Sequence, residues 1–166
     1  MKTLLVMRHA KSSWKHSDVA DHDRPLNKRG KQDAPRMGTL LHQQQLTPQV
    51  IISSTATRAR RTADAVADRC AFAGALHLER RLYLADPGTI LEVLRERGGP
   101  ADILLVIGHN PGLEALIARL AGRAEIFPTA ALAQIQLSIG SWEALRSSTR
   151  GELVNVWRPK ELVAGI

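Results

Sequence analysis

A single cysteine, Cys70, stands in 166 residues, so no disulfide can form within the chain. It falls on the apolar side of an expected helix, near Ala63, Val66 and Ala67, the setting of a buried structural thiol rather than a reactive one. Aromatic residues are only 4% of the chain, which leaves little to stack on nucleic-acid bases. No apolar run approaches the roughly 20 residues of a membrane-crossing helix. Met1-Lys2 leads directly into a short strand, without the long apolar segment of a secretory signal. These absences predict a cytoplasmic protein that binds neither membrane nor nucleic acid. Internal repeats, linkers and low-complexity stretches are also missing, and the length predicts one domain over 1–166.

Positive charge is in excess. There are 23 basic against 16 acidic residues, a formal net charge of +7 with neutral histidines, enough to steer an anionic partner. The cations are scattered through Arg24 to Lys31, Arg58 to Arg61, Arg80-Arg81 and Arg95 to Arg97. That distribution fits solvated helix faces better than a nucleic-acid stripe.

Strand-like and helix-like segments alternate. Thr3 to Met7 is apolar and β-prone, and Gln49 to Ser53 and Asp102 to Ile107 read as buried strands. Between them, Asn27 can cap a helix over 28 to 45, weakened by Pro35 and Gly38, and Thr57 can cap another to about 71. Leu76 to Leu78 is a short strand, Pro87 opens a helix to Arg97, and Leu113, Leu116, Ile117 and Leu120 mark an amphipathic helix ended by Gly122. Ala131 to Ser138 and Glu152 to Trp157 alternate as half-exposed strands, joined by a loop with a helical turn near Ser141 to Leu145. The pattern predicts a three-layer α/β/α domain around a mostly parallel sheet with an antiparallel edge.

Chemistry-bearing residues fall where these strands end. The first strand runs into Arg8-His9, and the strand at 102 to 107 runs into Gly108-His109-Asn110-Pro111-Gly112. Open α/β sheets bind ligands at the carboxyl ends of their strands. Two histidines with an arginine there suggest phosphoryl chemistry, which needs a nucleophile and several cations around three equatorial oxygens.

Four segments carry a resemblance. Met7-Arg8-His9-Ala10-Lys11-Ser12-Ser13-Trp14, Asp23-Arg24-Pro25-Leu26-Asn27-Lys28-Arg29-Gly30, Ser53-Ser54-Thr55-Ala56-Thr57-Arg58-Ala59-Arg60-Arg61-Thr62-Ala63 and Ile107-Gly108-His109-Asn110-Pro111-Gly112 resemble the histidine phosphatase superfamily. Within it, the chain is similar to the short bacterial phosphohistidine phosphatases of the SixA type, which share a phosphoglycerate mutase-like fold. The resemblance runs from Leu4 to about Trp157. Ala10 departs from the superfamily's usual glycine, a substitution familiar in the short subfamily.

The resemblance implies that His9 is the nucleophile of a covalent phosphohistidine mechanism, consistent with the ability of neutral imidazole to attack and leave near neutral pH. It implies that Arg8 and Arg58 grip phosphate oxygens with planar forks. His109 is the implied second histidine, which adds a hydrogen bond or charge. The backbone from Asn110 to Gly112 opens a helix and adds a partial positive field. Arg24 is either a further phosphate contact or the partner of Asp21 or Asp23 in a structural ion pair.

Larger superfamily members use a carboxylate after the second arginine as proton donor, and Glu79 and Asp86 are the candidates by position. Asp86 precedes Pro87 and can equally cap its helix. The stretch from His16 to Asp23 has histidines and carboxylates, but its spacing fits no established metal site and the family needs none. Lys28-Arg29-Gly30-Lys31 lacks the upstream glycine and following hydroxyl of a nucleotide-binding loop. Trp14 either lines the pocket mouth or covers the apolar side of the loop.

The expectation is therefore a phosphatase without metal or other cofactor. Only about 40 residues separate Arg58 from the strand at 102 to 107, so the pocket should be shallow. A shallow pocket suits phosphohistidine displayed on a protein. The alternatives are a small phosphorylated metabolite or phosphoserine-type ester as substrate, or a phosphate-recognition module that no longer turns over.

Overall fold

A computed structural model describes residues 1–162. Six strands form one sheet: β1 (Lys2–Arg8), β2 (Val50–Ser53), β3 (Ala75–Leu78), β4 (Ile103–Gly108), β5 (Leu132–Leu137) and β6 (Gly151–Trp157). Their spatial order is β3-β2-β4-β1-β5-β6. The first four run parallel, and β5 and β6 add the antiparallel edge. Four helices accompany them: α1 (Lys28–Gln43), α2 (Thr57–Arg69), α3 (Pro87–Arg97) and α4 (Gly112–Ala121).

The apolar run of β1 is continuous because both its faces are covered. Leu4 and Val6 join the core that contains Leu91, Leu94, Leu116 and Ile117 of α3 and α4. Leu5 and Met7 alternate to the opposite core, with Met37 and Leu41 of α1 and Ala63 and Val66 of α2. Cys70, fully buried at the end of α2, belongs to this second core, and burial pushes its thiol pKa up. The three-layer arrangement is the one expected from the alternation of elements.

Local signals act largely as read, with two exceptions. Asn27 caps α1 by accepting from the Gly30 amide at 2.9 Å, and Asp86 caps α3 by accepting from Thr89 at 2.8 Å. Thr57, in contrast, is the first residue of α2; the cap position is Ala56, which makes no side-chain cap. Instead the Ala56 amide donates to Ser54 Oγ at 3.2 Å. The second exception is α1, which continues unbroken through Pro35 and Gly38. Gly38 sits where α1 crosses α2, and a Cβ there would lie 2.7 Å from the carbonyl oxygen of Val66. The glycine marks close helix packing, not a break.

The segment after β1 is clamped from beneath by the start of α1. Ser12 pairs with Leu26 in an isolated antiparallel bridge, Ser13 donates to Pro25 O at 2.8 Å, and Asn27 donates to Lys11 O at 3.0 Å. Gly30 is pressed against the same loop: a Cβ would stand 2.1 Å from Lys11 O.

Candidate active site

Strand register brings the two histidines together. Parallel pairing of β1 with β4 sets Arg8 opposite Gly108, so the residues that follow, His9 and His109, emerge side by side. The His9 amide also donates to Gly108 O at 3.1 Å. The ring centroids are 5.1 Å apart, close to the spacing of neighbouring strands. On the other side of β4, Ser53 of β2 pairs with Ile107, which places Ser54 and the start of α2 beside His109.

Hydrogen bonds fix the tautomers. His9 Nδ1 lies 2.8 Å from Ala10 O, and a carbonyl can only accept, so Nδ1 carries the proton and Nε2 is left with a lone pair when the ring is neutral. His109 has the opposite arrangement. Its Nδ1 faces Arg58 Nη2 at 3.5 Å, and Arg58 can only donate, so Nε2–H donates to Ser54 Oγ at 2.8 Å. Ala10, where the superfamily usually has glycine, is fully buried, and its amide donates to Thr62 Oγ1 at 2.9 Å. Thr62 in turn donates to Arg58 O at 2.7 Å, which ties the loop after β1 to α2.

Burial keeps both rings uncharged. His9 is pushed down to about 4 chiefly by desolvation; the bond to Ala10 opposes this, and Arg58, Arg8 and Arg24 reinforce it. His109 is pushed down to about 3, again by burial first, then by His9 and Arg58, against an opposing contribution from Asp21.

A pocket of about 170 Å³ opens over these groups, with Arg8, His9, Arg24, Arg58, His109 and Asn110 in its wall. The structure thus gathers the four residues central to the sequence reading, together with Arg24. Nε of Arg8 and Nε of Arg58 are buried with no hydrogen-bond partner among the described residues, leaving donors beside the pocket. Of the two roles considered for Arg24, the ion pair with Asp21 is present. Arg24 lines the pocket, and its Nε donates to Asp21 Oδ1 at 3.1 Å while Nη1 donates to Ser12 Oγ at 2.8 Å.

Asp21 connects the cations. Its Oδ2 accepts from Arg58 Nη2 at 3.1 Å and its backbone oxygen accepts from Arg58 Nη1 at 2.7 Å. The hydroxyl of Tyr83 donates to the same Oδ2. That bond is the largest single cause pulling the Asp21 carboxyl down to about 2, with Arg58 and Arg24 adding to it against the opposing effect of burial. Tyr83 also stands edge-on to the rings of His109 and His22, at 5.4 and 4.9 Å. Sequence reasoning considered Asp21 as a partner of Arg24 and as one carboxylate of the His16 to Asp23 stretch, and it missed Tyr83, although it is the chain's one tyrosine.

Other candidates are held elsewhere. Asn110 lines the pocket, but its Nδ2 donates to Phe127 O at 2.8 Å and Glu114 Oε1 at 3.1 Å. Glu79 is paired with Arg81 at 2.8 Å and Arg97 at 3.5 Å. Asp86 is the cap of α3. Neither carboxylate is part of the pocket wall, which corrects their candidacy by position. From the His16 to Asp23 loop, His22 turns to Thr55 at 2.8 Å and Asp23 at 3.2 Å. No group of three potential metal ligands occurs among the described residues. Trp14 lines the pocket mouth and lies over the Arg24 guanidinium, 3.5 Å from ring centre to Cζ.

The fold and pocket define an α/β domain with two neutral histidines and three arginines around a phosphate-sized space. The chain belongs to the histidine phosphatase superfamily (branch 1), whose family pattern matches residues 4–83. It is 38% identical over 147 residues to the uncharacterized protein Rv1276c of Mycobacterium tuberculosis, covering 82% of this chain and 89% of that one. Its fold is similar to that of a protein from Nakamurella multipartitia named for the phosphohistidine phosphatase SixA, with a TM-score of 0.83, 27% identity, and 95% and 96% of the two chains covered. A protein of the same designation from Agrobacterium tumefaciens gives a TM-score of 0.82 at 25% identity, covering 95% and 98%. No helix among the described residues is long and apolar enough to cross a membrane.

Proposed function

We propose that this protein is a phosphatase that works through a phosphohistidine intermediate on His9 and takes phosphohistidine on a protein as its substrate. The observation that carries the mechanism is the bond from His9 Nδ1 to Ala10 O, which leaves Nε2 with its lone pair beside three arginines. In the first step Nε2 attacks phosphorus, a bond from Nε2 to phosphorus forms, and the bond from phosphorus to the leaving nitrogen breaks. Water then attacks the phosphoryl group, returns His9 to its neutral form and releases inorganic phosphate. Arg8, Arg24 and Arg58 neutralise charge on the equatorial oxygens.

The leaving group fits a pocket wall that, among the described residues, carries no carboxylate. An imidazole, protonated from solvent, departs far more readily than an alkoxide, so a buried acid is not required. The size of the pocket points the same way. About 170 Å³ holds a phosphoryl group and its immediate surroundings, against about 300–1,000 Å³ for sites that enclose a whole small ligand. Similarity to proteins named for SixA supports the same substrate class.

The test is direct competition between substrates. A protein phosphorylated on histidine with phosphoramidate, phosphoserine peptides and a panel of sugar phosphates are offered to the purified enzyme. Release of phosphate from the phosphohistidine protein at the highest kcat/KM supports the proposal. Preference for a sugar phosphate or phosphoserine ester moves the enzyme to the small-ester class, and no turnover of any of them leaves a recognition module.

A further inference from the structure

Beside the phosphate pocket lies a wider cleft of about 400 Å³, and the two share Arg8, Lys11 and Thr129 in their walls. Its far wall comes from Arg29 and Asp33 of α1 and from Arg158 to Glu161 after β6. Five cations, Arg8, Lys11, Arg29, Arg158 and Lys160, face two carboxylates, Asp33 and Glu161. Their commitments differ. Arg29 holds Asp33 at 3.5 Å, and Arg158 donates to Ile126 O, Glu125 and Glu161. Lys11 and Lys160 have no ion-pair partner among the described residues.

Apolar side chains stand exposed around the same openings. Trp14 and Leu84, in the wall of the phosphate pocket, are 74% and 57% exposed. Ile126, 80% exposed, is tied to two of these five cations: its carbonyl accepts from Arg158, and that of the next residue, Phe127, accepts from Arg8 Nη1 at 3.3 Å. Leu84 also holds φ at 52°, a conformation costly for leucine and characteristic of functional segments. These apolar groups give a peptide lying across the two openings something to pack against.

The geometry points to the basic cleft as a docking subsite for acidic side chains that flank the phosphorylated histidine on a protein substrate, which rests on the phosphohistidine reading above. A second phosphoryl group would call for converging, unpaired guanidinium forks. Here the arginines Arg29 and Arg158 are already paired, and the uncommitted charge sits on two lysines, Lys160 in the cleft and Lys11 in the wall shared with the phosphate pocket. Ammonium groups on long stems accept carboxylates in many geometries. Continuity through Lys11 lets one peptide place its phosphoryl group over His9 and its acidic flank in the cleft.

The test uses the full chain and two synthetic phosphohistidine peptides of equal length, one flanked by aspartate and glutamate, the other by asparagine and glutamine. Wild type should favour the acidic peptide by about tenfold in kcat/KM, carried by KM, the scale of two or three exposed charge pairs. In the double variant Arg29→Gln, Lys160→Glu that preference should vanish, while hydrolysis of p-nitrophenyl phosphate, too short to reach the cleft, stays at the wild-type rate. Fluorescence anisotropy of a labelled, unphosphorylated acidic peptide asks the same question without chemistry. Weaker binding to the double variant supports the subsite even where neither phosphopeptide is hydrolysed, an outcome that removes the phosphohistidine reading alone. Equal binding of acidic and neutral peptides by wild type, or a preference unchanged in the variant, overturns the subsite. Tighter binding of a small bisphosphate or an oligonucleotide than of the acidic peptide also overturns it.

Discussion

The rings of His9 and His109 stand 5.1 Å apart with their planes tilted by 50°, and His9 makes a charge on His109 harder to hold. Their pKa values, about 4 and about 3, lie below the ordinary histidine value of 6.5. For such groups the unfolded chain takes up protons first as pH falls. Their contribution to stability is therefore constant above about pH 6.5 and declines from there down to about pH 3. Imidazole NMR titration of wild type should place both midpoints well under pH 5. A midpoint near 6.5 for either ring would show that burial does not control them.

Arg58→Lys keeps the charge but loses the planar fork that reaches Asp21 and faces His109. Loss of about 10²-fold in kcat/KM is expected, the scale of a misplaced or missing transition-state contact. Arg61→Lys is the control on the same helix, since Arg61 is exposed and paired only loosely with Asp64, at 3.9 Å. Steady-state kinetics of the two variants with one substrate decide it, and equal tolerance would remove Arg58 from the pocket chemistry.

Asp21 is a positioning residue, because it touches both Arg24 and Arg58. Asp21→Asn removes their shared counter-charge but leaves the cations in place. We expect kcat to fall about 10- to 100-fold through misplacement of the guanidinium groups, while inorganic phosphate inhibits as well as before or better. A parallel rise in KM and in the inhibition constant, with kcat unchanged, would assign Asp21 a binding role instead.

Gly30→Ala probes the support beneath the site. The new methyl group would meet Lys11 O, so either α1 or the loop after His9 must shift. Destabilisation of about 1–3 kcal/mol in chemical unfolding, accompanied by reduced turnover, is expected. Full activity would show that the loop tolerates the shift.

Much of this architecture was legible because local chemistry and tertiary packing agree. Asn27 and Asp86 cap the helices that their positions announce, and the continuous apolar run of Leu4 to Met7 reflects burial on both faces. Thr57 misled because a hydroxyl near a helix start is only a local signal. The hydroxyl used there is that of Ser54, whose Oγ also receives His109, a contact created by strand pairing. Pro35 and Gly38 looked like breakers because the crossing of α1 on α2 cannot be read from either helix alone. The site showed the same division. Arg8, His9, Arg58 and His109 were readable from motifs at strand ends, but Tyr83 and the bridging role of Asp21 depend on loops 62 residues apart in sequence that meet only in the fold.

The most direct measurement is to quench the enzyme during turnover of a ³²P-labelled substrate and locate the label by mass spectrometry of peptides kept at alkaline pH. A phosphoryl group on His9, acid-labile and absent from His9→Ala, is the predicted result, with turnover in that variant reduced by at least about 10³-fold. Label on another residue, or near-normal turnover by His9→Ala, would contradict the covalent mechanism.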